Sequence, residues 1–410
     1  MNEHEHESPV IIGADNPENI VLHIQSYLGE HGLDGWLVYD YNGLNPVSPL
    51  FLEAAHHFAT RRWFYFIPCQ GTPVYLLHAI EKDLPRTFPG QVMLYSSWQD
   101  FFEKLSDVLT GRTRIALEYS PRCSLPAISR VDAGTLEIIK ELGIEPVSSA
   151  ELVQFFTCRL SEAQVKSHKQ ASKDLYAIRD IILENLRQDL IKGYCPNEYQ
   201  IQQRYLEQFE LFGLETEFPP IVAVNENTGN PHYQPEADRC QTLRPGSVLL
   251  LDTWARQKAA GSVYSDITWM AYLGDTIPEQ VQNVFEVVIS ARDAVLEKLE
   301  ARFRAGRPIR GYEADDIARN VINLAGYGDY FTHRTGHNLG GDVHGAGANL
   351  DNLETHEERD LIPGTAFTVE PGIYLADFGI RSEINVYYDP VAGFQITTPP
   401  QRQITKIMLL

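Results

Sequence analysis

The stretch "HRTGHNLGGDVHG", residues 333–345, places three histidines and four glycines in thirteen positions. So much imidazole on so pliant a backbone suits metal ligation, provided that other residues complete the shell. Four acidic residues elsewhere stand where acids are unexpected. Asp252 follows three leucines in "SVLLLDTWA", and Asp266 precedes an apolar run in "YSDITW". Glu370 in "TAFTVEPGIY" lies between a strand pattern and a Pro-Gly turn. Glu383 interrupts the apolar alternation of "GIRSEINVYY", with Arg381 two residues away on the same strand face. Each has an ordinary reading alone: His337 as a hydrogen-bonded core histidine, Asp252 as a turn cap, Asp266 as the partner of an arginine. Together, four carboxylates and one imidazole form a donor set for two adjacent divalent cations. Four separate buried ion pairs are the competing explanation, but lysine and arginine are sparse near these segments.

Such a set must be held by strands packed on a core. The chain has 410 residues, 43% of them hydrophobic, enough for two domains. A formal charge of -21 argues against a nucleic-acid partner. Cys69, Cys123, Cys158, Cys195 and Cys240 are widely spaced without a CxxC, which indicates neither a disulfide framework nor a thiolate zinc site and suits the cytoplasm. Residues 1–10, acidic and His-rich, read as a disordered leader, and no apolar run offers a membrane span.

Residues 11–158 alternate helix and strand signals, an α/β pattern beginning with the helix start Asn16-Pro17 and including the strand "WFYFIP". "AAHHFATRRW" is the most site-like part of that domain, with His56 and His57 either on a solvated helix or reaching a neighbouring pocket. From residue 161 the pattern changes. Ser161 and Gln164 make a capping box for a long helix, and Thr276 with Glu279 are expected to make another around Pro278. Between and after the helices, "SVLLLDTWA", "YSDITWMAYLG", "TAFTVEPGIYL" and "IRSEINVYY" read as strands of a mostly antiparallel sheet, so residues 161–410 form an α+β domain.

These segments resemble the creatinase and aminopeptidase family, peptidase family M24, whose pita-bread fold is shared by methionine aminopeptidase, aminopeptidase P and prolidase. The family's ligands, Asp, Asp, His, Glu and Glu in chain order, fall on Asp252, Asp266, His337, Glu370 and Glu383. The family's upstream histidine falls on His232 in "NTGNPHY", and its flanking histidines on His333 and His344. Arg381 matches an arginine that the proline-directed branch carries before its last ligand. The resemblance implies an α+β fold with a C-terminal pita-bread domain, preceded by a smaller α/β creatinase-type domain. Creatinase has this fold without metals, so possession of all five ligand types favours the metallopeptidase branch.

By the same resemblance, two divalent ions are expected. Manganese is the first choice, with cobalt, iron or zinc also admitted by oxygen-rich ligands. Asp252 would chelate one ion, His337 and Glu370 the other, and Asp266 and Glu383 would bridge them. Glu370 would also take a proton from the attacking nucleophile. His232 and His344 would donate hydrogen bonds to the oxyanion and the substrate amide, unless His344 and His333 only orient ligand carboxylates. His333 would shape the adjoining pocket, and Arg381 would keep Glu383 ionised. The implied reaction removes one residue from the N-terminus of a small peptide, Xaa-Pro being the expected substrate, by a homodimer. A metal-dependent hydrolase or lyase of a small non-peptide substrate, and a non-catalytic binding protein, are the alternatives.

Several positions depart from the family. Thirteen residues separate Asp252 from Asp266, more than relatives usually carry, with "RQKAAG" holding the excess. Trp269 stands where arginine is common, Asn338 where glycine is frequent, and Gly341 and Gly345 where larger residues are usual. These suggest a reshaped pocket, with Arg256 and Lys258 of the long hairpin folding over it as a clamp for a dipeptide's carboxylate.

Overall fold

The computed structural model describes residues 16–52 and 59–407; the leader, His56 and His57 lie outside the described residues. Contacts divide the chain into two compact units, Met1–Arg159 and Leu160–Leu410. Among the described residues no helix is long and apolar enough to cross a membrane.

In the first unit, helix α1 (Pro17–Glu30) starts where Asn16 accepts a hydrogen bond from the Glu18 amide at 2.9 Å. Its sheet comprises β1 (Gly35–Asp40), β2 (Trp63–Pro68), β3 (Val74–His78), β4 (Gln91–Tyr95), β5 (Arg114–Leu117) and β6 (Glu145–Ser148), in spatial order β4-β3-β2-β1-β5-β6. The sheet is mixed: β2 runs antiparallel to β1 and β3, and the other pairs are parallel. Every residue of β1 and β2 is buried, as befits central strands, and Leu37, Phe64, Phe66 and Ile115 meet Phe101 and Leu105 of α2 (Trp98–Leu109). Helices α3 (Ala133–Glu141) and α4 (Ala150–Thr157) complete the unit. Strands β4 and β6 lie at the sheet edges with largely open faces, and of the two only β6, "EPVS", lacks an apolar run.

The second unit begins with α5 (Glu162–Ile191), whose Ser161–Gln164 capping box forms as expected, and α6 (Glu198–Leu211). Then come β7 (Leu214–Glu215), β8 (Ile221–Val224), β9 (Val248–Gln257), β10 (Ser265–Leu273), α7 (Glu279–Arg304) and α8 (Gly311–Leu324). Pro278 is the N-cap of α7 and no side chain caps it, so the box expected of Thr276 and Glu279 does not form. The rest is β11 (Asn338–Leu339), β12 (Ala366–Val369), β13 (Gly372–Tyr374), β14 (Gly379–Arg381), β15 (Ile384–Asp389), β16 (Gly393–Ile396) and β17 (Thr405–Ile407). One sheet runs β17-β10-β9-β7 with β8 also on β9, a second runs β11-β12-β15-β16, and β13 pairs only with β14. All pairings are antiparallel except β10 with β17.

Two stretches that read as single strands are each broken in two. The chain leaves β12 at Glu370-Pro371 to enter the β13–β14 ribbon, and returns through Ser382-Glu383 into β15. Proline has no amide hydrogen to continue the ladder, which explains the first break. Glu370 and Glu383 therefore occupy the two crossings between the ribbon and the sheet, where their backbones are free of regular pairing.

Candidate metal centre

Strands β9 and β10 carry the aspartates. Asp252 pairs in register with Thr268, and Asp266 lies two residues before Thr268 on the same face. Asp266 is fixed through its backbone. Its amide donates to Asn385 Oδ1 at 2.9 Å and its carbonyl accepts from Asn385 Nδ2 at 2.5 Å. Ser265 Oγ donates to the same Asn385 oxygen at 2.7 Å, and Ser172 of α5 donates to Ser265 at 2.9 Å. A polar relay thus anchors β10 to both the second sheet and the long helix.

His337 is placed by its neighbours. Its amide donates to Thr368 Oγ1 at 2.9 Å, and the Thr368 hydroxyl donates to Glu370 Oε1 at 3.0 Å. Gly336 permits this approach, because a Cβ there would stand 2.0 Å from the Thr368 carbonyl oxygen. From α8, buried Asp315 accepts from the Thr335 amide at 2.8 Å and hydroxyl at 2.7 Å, and from the Asn352 amide at 3.0 Å. Arg319 pairs with Asp315 and donates to the carbonyls of Phe331 and His333. The glycine-rich histidine segment is therefore tied down from both sides.

His337 Nε2 lies 3.3 Å from Glu370 Oε1 and 3.6 Å from Asp266 Oδ2. Asp266, His337 and Glu383 each offer a donor atom within 4.8 Å of the others. The Thr268 hydroxyl joins Asp252 Oδ1 at 3.1 Å and Glu383 Oε2 at 2.8 Å. All five residues expected as ligands meet in one buried cluster. Arg381 is buried beside it, but it pairs directly with Asp252 rather than Glu383, and its Nε donates to Thr268 at 2.8 Å. The reason is the break after β14: the chain turns at Ser382, so Arg381 and Glu383 do not continue one alternation.

The electrostatics call for cations. Burial raises all four carboxyl pKa values, Asp252 to about 6 and Asp266 to about 7. Burial lowers that of His337 and favours the neutral imidazole that can ligate. One arginine cannot neutralise four carboxylates. Asp266 Oδ1 is buried with no hydrogen-bond partner, although the backbone amide and carbonyl of the residue are both bonded to Asn385. An orphaned buried carboxylate oxygen, beside an imidazole and three further acids, fits a divalent cation. The donor chemistry therefore accepts the group that the sequence implied.

The other histidines are spread outward. The His344 ring lies 4.4 Å from that of His337, edge to face. It keeps an exposed edge, yet the protein around its nitrogens lowers its pKa, as do His337, Arg334 and His232. His333 Nε2 is 2.7 Å from the Tyr374 hydroxyl, and Arg381 Nη1 reaches the same oxygen at 3.5 Å. His232 is exposed, and only its backbone is fixed, by Asn230 at 3.1 Å.

Thr268, Thr368, Asn385 and Tyr374 were not singled out in the sequence. The available signal was strand alternation, since Thr268 and Thr368 share faces with Asp266 and Glu370. Thr268→Val should weaken divalent-metal affinity about 10- to 100-fold, as measured by metal titration, because it removes the hydroxyl that orients Asp252 and Glu383. Unchanged affinity would make the hydroxyl a packing element only.

The expected pocket changes take a different form. Trp269 points away from the aspartates, donating to Thr405 at 2.8 Å and stacking under Arg179, whose guanidinium carbon is 3.8 Å from the ring centre. It belongs to the α5 side of the sheet. Gly345 does not open a rim: a Cβ there would meet Asn338 Oδ1 at 2.2 Å, and Asn338 donates to Ala366 O at 2.9 Å. The larger Asn338 and the smaller Gly345 are thus one compensated packing change. Arg256 pairs with Glu215 at 2.9 Å and reaches Gly341 O at 2.6 Å, while Lys258 pairs with Glu210, so both clamp candidates are already engaged.

The family model described as metallopeptidase family M24 matches residues 166–390. A putative dipeptidase, YkvY, from Bacillus subtilis (strain 168) is 29% identical over 261 residues, 63% of this chain and 66% of the relative. An Xaa-Pro dipeptidase of Lactobacillus delbrueckii subsp. lactis is 31% identical over 224 residues, 54% of this chain and 55% of the relative. The chain thus spans between about half and just under two thirds of the length of these curated relatives. Among solved structures, dipeptidase PepE from Mycobacterium ulcerans matches with a TM-score of 0.71 at 20% identity, covering 96% of this chain and 98% of that one. A dipeptidase from Pyrococcus horikoshii OT3 matches with a TM-score of 0.61 at 27% identity, covering 95% and 99%.

Proposed function

Because the chain belongs to metallopeptidase family M24, a family of metal-dependent hydrolases, we propose that it cleaves the peptide bond before proline and releases the N-terminal residue of Xaa-Pro substrates. The observation that carries this reading is the buried cluster of four carboxylates and His337, with Asp266 Oδ1 left unpartnered. Xaa-Pro dipeptidases among the relatives support the proline preference.

In this reading Asp252, Asp266, His337, Glu370 and Glu383 hold two divalent ions, manganese first among them. When bound, such ions supply Lewis acidity and an activated water. The chain's own groups do the rest. Glu370, beside His337, accepts the proton of the attacking water and passes it to the leaving nitrogen. His344 and His232 donate to the developing oxyanion and the substrate amide, and His333 with Tyr374 forms the neighbouring wall. Arg381 holds Asp252 and the Thr268 hydroxyl in place. The working enzyme is a homodimer.

Metal analysis after reconstitution, combined with hydrolysis of Ala-Pro, tests the proposal. Two manganese equivalents per chain and manganese-dependent release of alanine are expected. Turnover of a small non-peptide amide or thioether without peptide cleavage would replace the substrate assignment, and partner capture without turnover would make the chain a binding protein.

A further inference from the structure

Arg334 sits between His333 and the Thr335–His337 segment, and it differs from the other arginines packed around this centre. Arg256, Arg292, Arg319, Arg359 and Arg381 each have a carboxylate oxygen within 2.9 Å. Among the described residues the only carboxylate within 4 Å of the Arg334 guanidinium is Glu354, at 3.6 Å from Nη1, beyond hydrogen-bond distance. The Arg334 side chain is 22% exposed and that of Glu354 is 45% exposed. Glu354 Oε1 is held separately, by the Arg334 amide at 3.1 Å. The guanidinium is thus a half-open fork beside the cluster, with a loose partner that can be displaced. Arg334 directly follows His333 and lies three residues before His337, on the segment that brings both imidazoles to the centre.

We propose that Arg334 receives the free α-carboxylate of a two-residue substrate, displacing Glu354, and so selects dipeptides over longer peptides. This deepens the peptidase reading and rests on it. A guanidinium matches a carboxylate with two parallel hydrogen bonds and repels the substrate's ammonium end. The one anionic group of an Xaa-Pro dipeptide is its α-carboxylate, and in a longer peptide that group moves away along the chain. The long-hairpin cations cannot take this role, since Arg256 and Lys258 are paired elsewhere.

The test compares Ala-Pro, Ala-Pro-amide and Ala-Pro-Ala on the metal-reconstituted protein and its Arg334→Ala variant, alongside calorimetric titration of Ala-Pro and its amide into the metal-free protein. For Ala-Pro the variant should show a KM raised about 10- to 100-fold, the worth of a charged hydrogen-bonded pair, with little change for the amide and the tripeptide. The calorimetric preference for the acid over the amide should vanish. Glu354→Gln keeps the acceptor for the Arg334 amide but removes the competing charge, so the KM for Ala-Pro should fall. Equal losses for acid and amide in Arg334→Ala, or no loss for either, overturn the inference. If no peptide is cleaved at all, the peptidase reading fails, and the calorimetric arm still decides whether Arg334 binds the carboxylate.

Discussion

Glu370→Gln is expected to lower kcat for Xaa-Pro hydrolysis about 100-fold or more while leaving KM nearly unchanged. Glutamine keeps the size and one oxygen of glutamate, so the hydrogen bond from Thr368 at 3.0 Å can persist. What disappears is the ability to take a proton from the attacking water. Glu370 lies 3.3 Å from His337 Nε2, so it also contributes to the metal-binding cluster, and metal content must be measured on the same preparation. Loss of turnover with both metals retained supports the general-base role, and full activity at full occupancy overturns it. Loss of metal together with activity would reassign Glu370 to ligation alone. A second comparison separates these outcomes: a base should leave its mark as the acidic limb of the kcat profile, which the glutamine variant would lack.

The elements that carry the acids were legible because polar residues interrupted otherwise apolar strands. Asp252 after three leucines could not be an ordinary core position, and β9 is buried through that stretch. Glu370 and Glu383 were legible as anomalies but not as what they are structurally, residues at the crossings between two sheets. Their segments are apolar on both sides of each break, so periodicity ran straight through it. The same continuity misplaced Arg381, whose partner across space is Asp252 on another strand. Pairing of that kind depends on sheet register, which no local pattern encodes. Trp269 and Gly345 were misleading for a related reason. Substitution at a motif position signals change, but only the packing against Arg179 in one case and Asn338 in the other tells which side of the strand has changed. The edge strand β6, "EPVS", left no hydrophobic run to find.

Divalent metal should raise the melting temperature more at pH 8 than near pH 5. Burial, only partly offset by Arg381, pushes the pKa of Asp252 up to about 6 and of Asp266 up to about 7, and it raises those of Glu370 and Glu383 as well. In the unfolded chain these groups titrate in the ordinary carboxylate range near pH 4. A folded-state pKa above the unfolded one means that the fold binds protons more tightly than the unfolded chain does. Stability from this source is therefore complete below about pH 4 and is lost as pH rises through 6 to 7. Because the acids share protons within one cluster, the whole effect is on the order of 3 kcal/mol rather than the sum of independent sites. The buried histidines His168, His333, His337 and His344, whose pKa values burial lowers, act in the opposite sense and gain stability as pH rises, so the comparison that isolates the cluster is the shift caused by metal at each pH. Cations bind the deprotonated carboxylates and neutral His337, so they compete with protons and add most stability where the empty cluster is most strained, at pH 8. Scanning calorimetry with chelator and with manganese, at both pH values, reads all four corners of this cycle. A Tm that manganese leaves unchanged at pH 8 would show that the four carboxylates find their counter-charge within the chain, and that the cluster has no need of a metal.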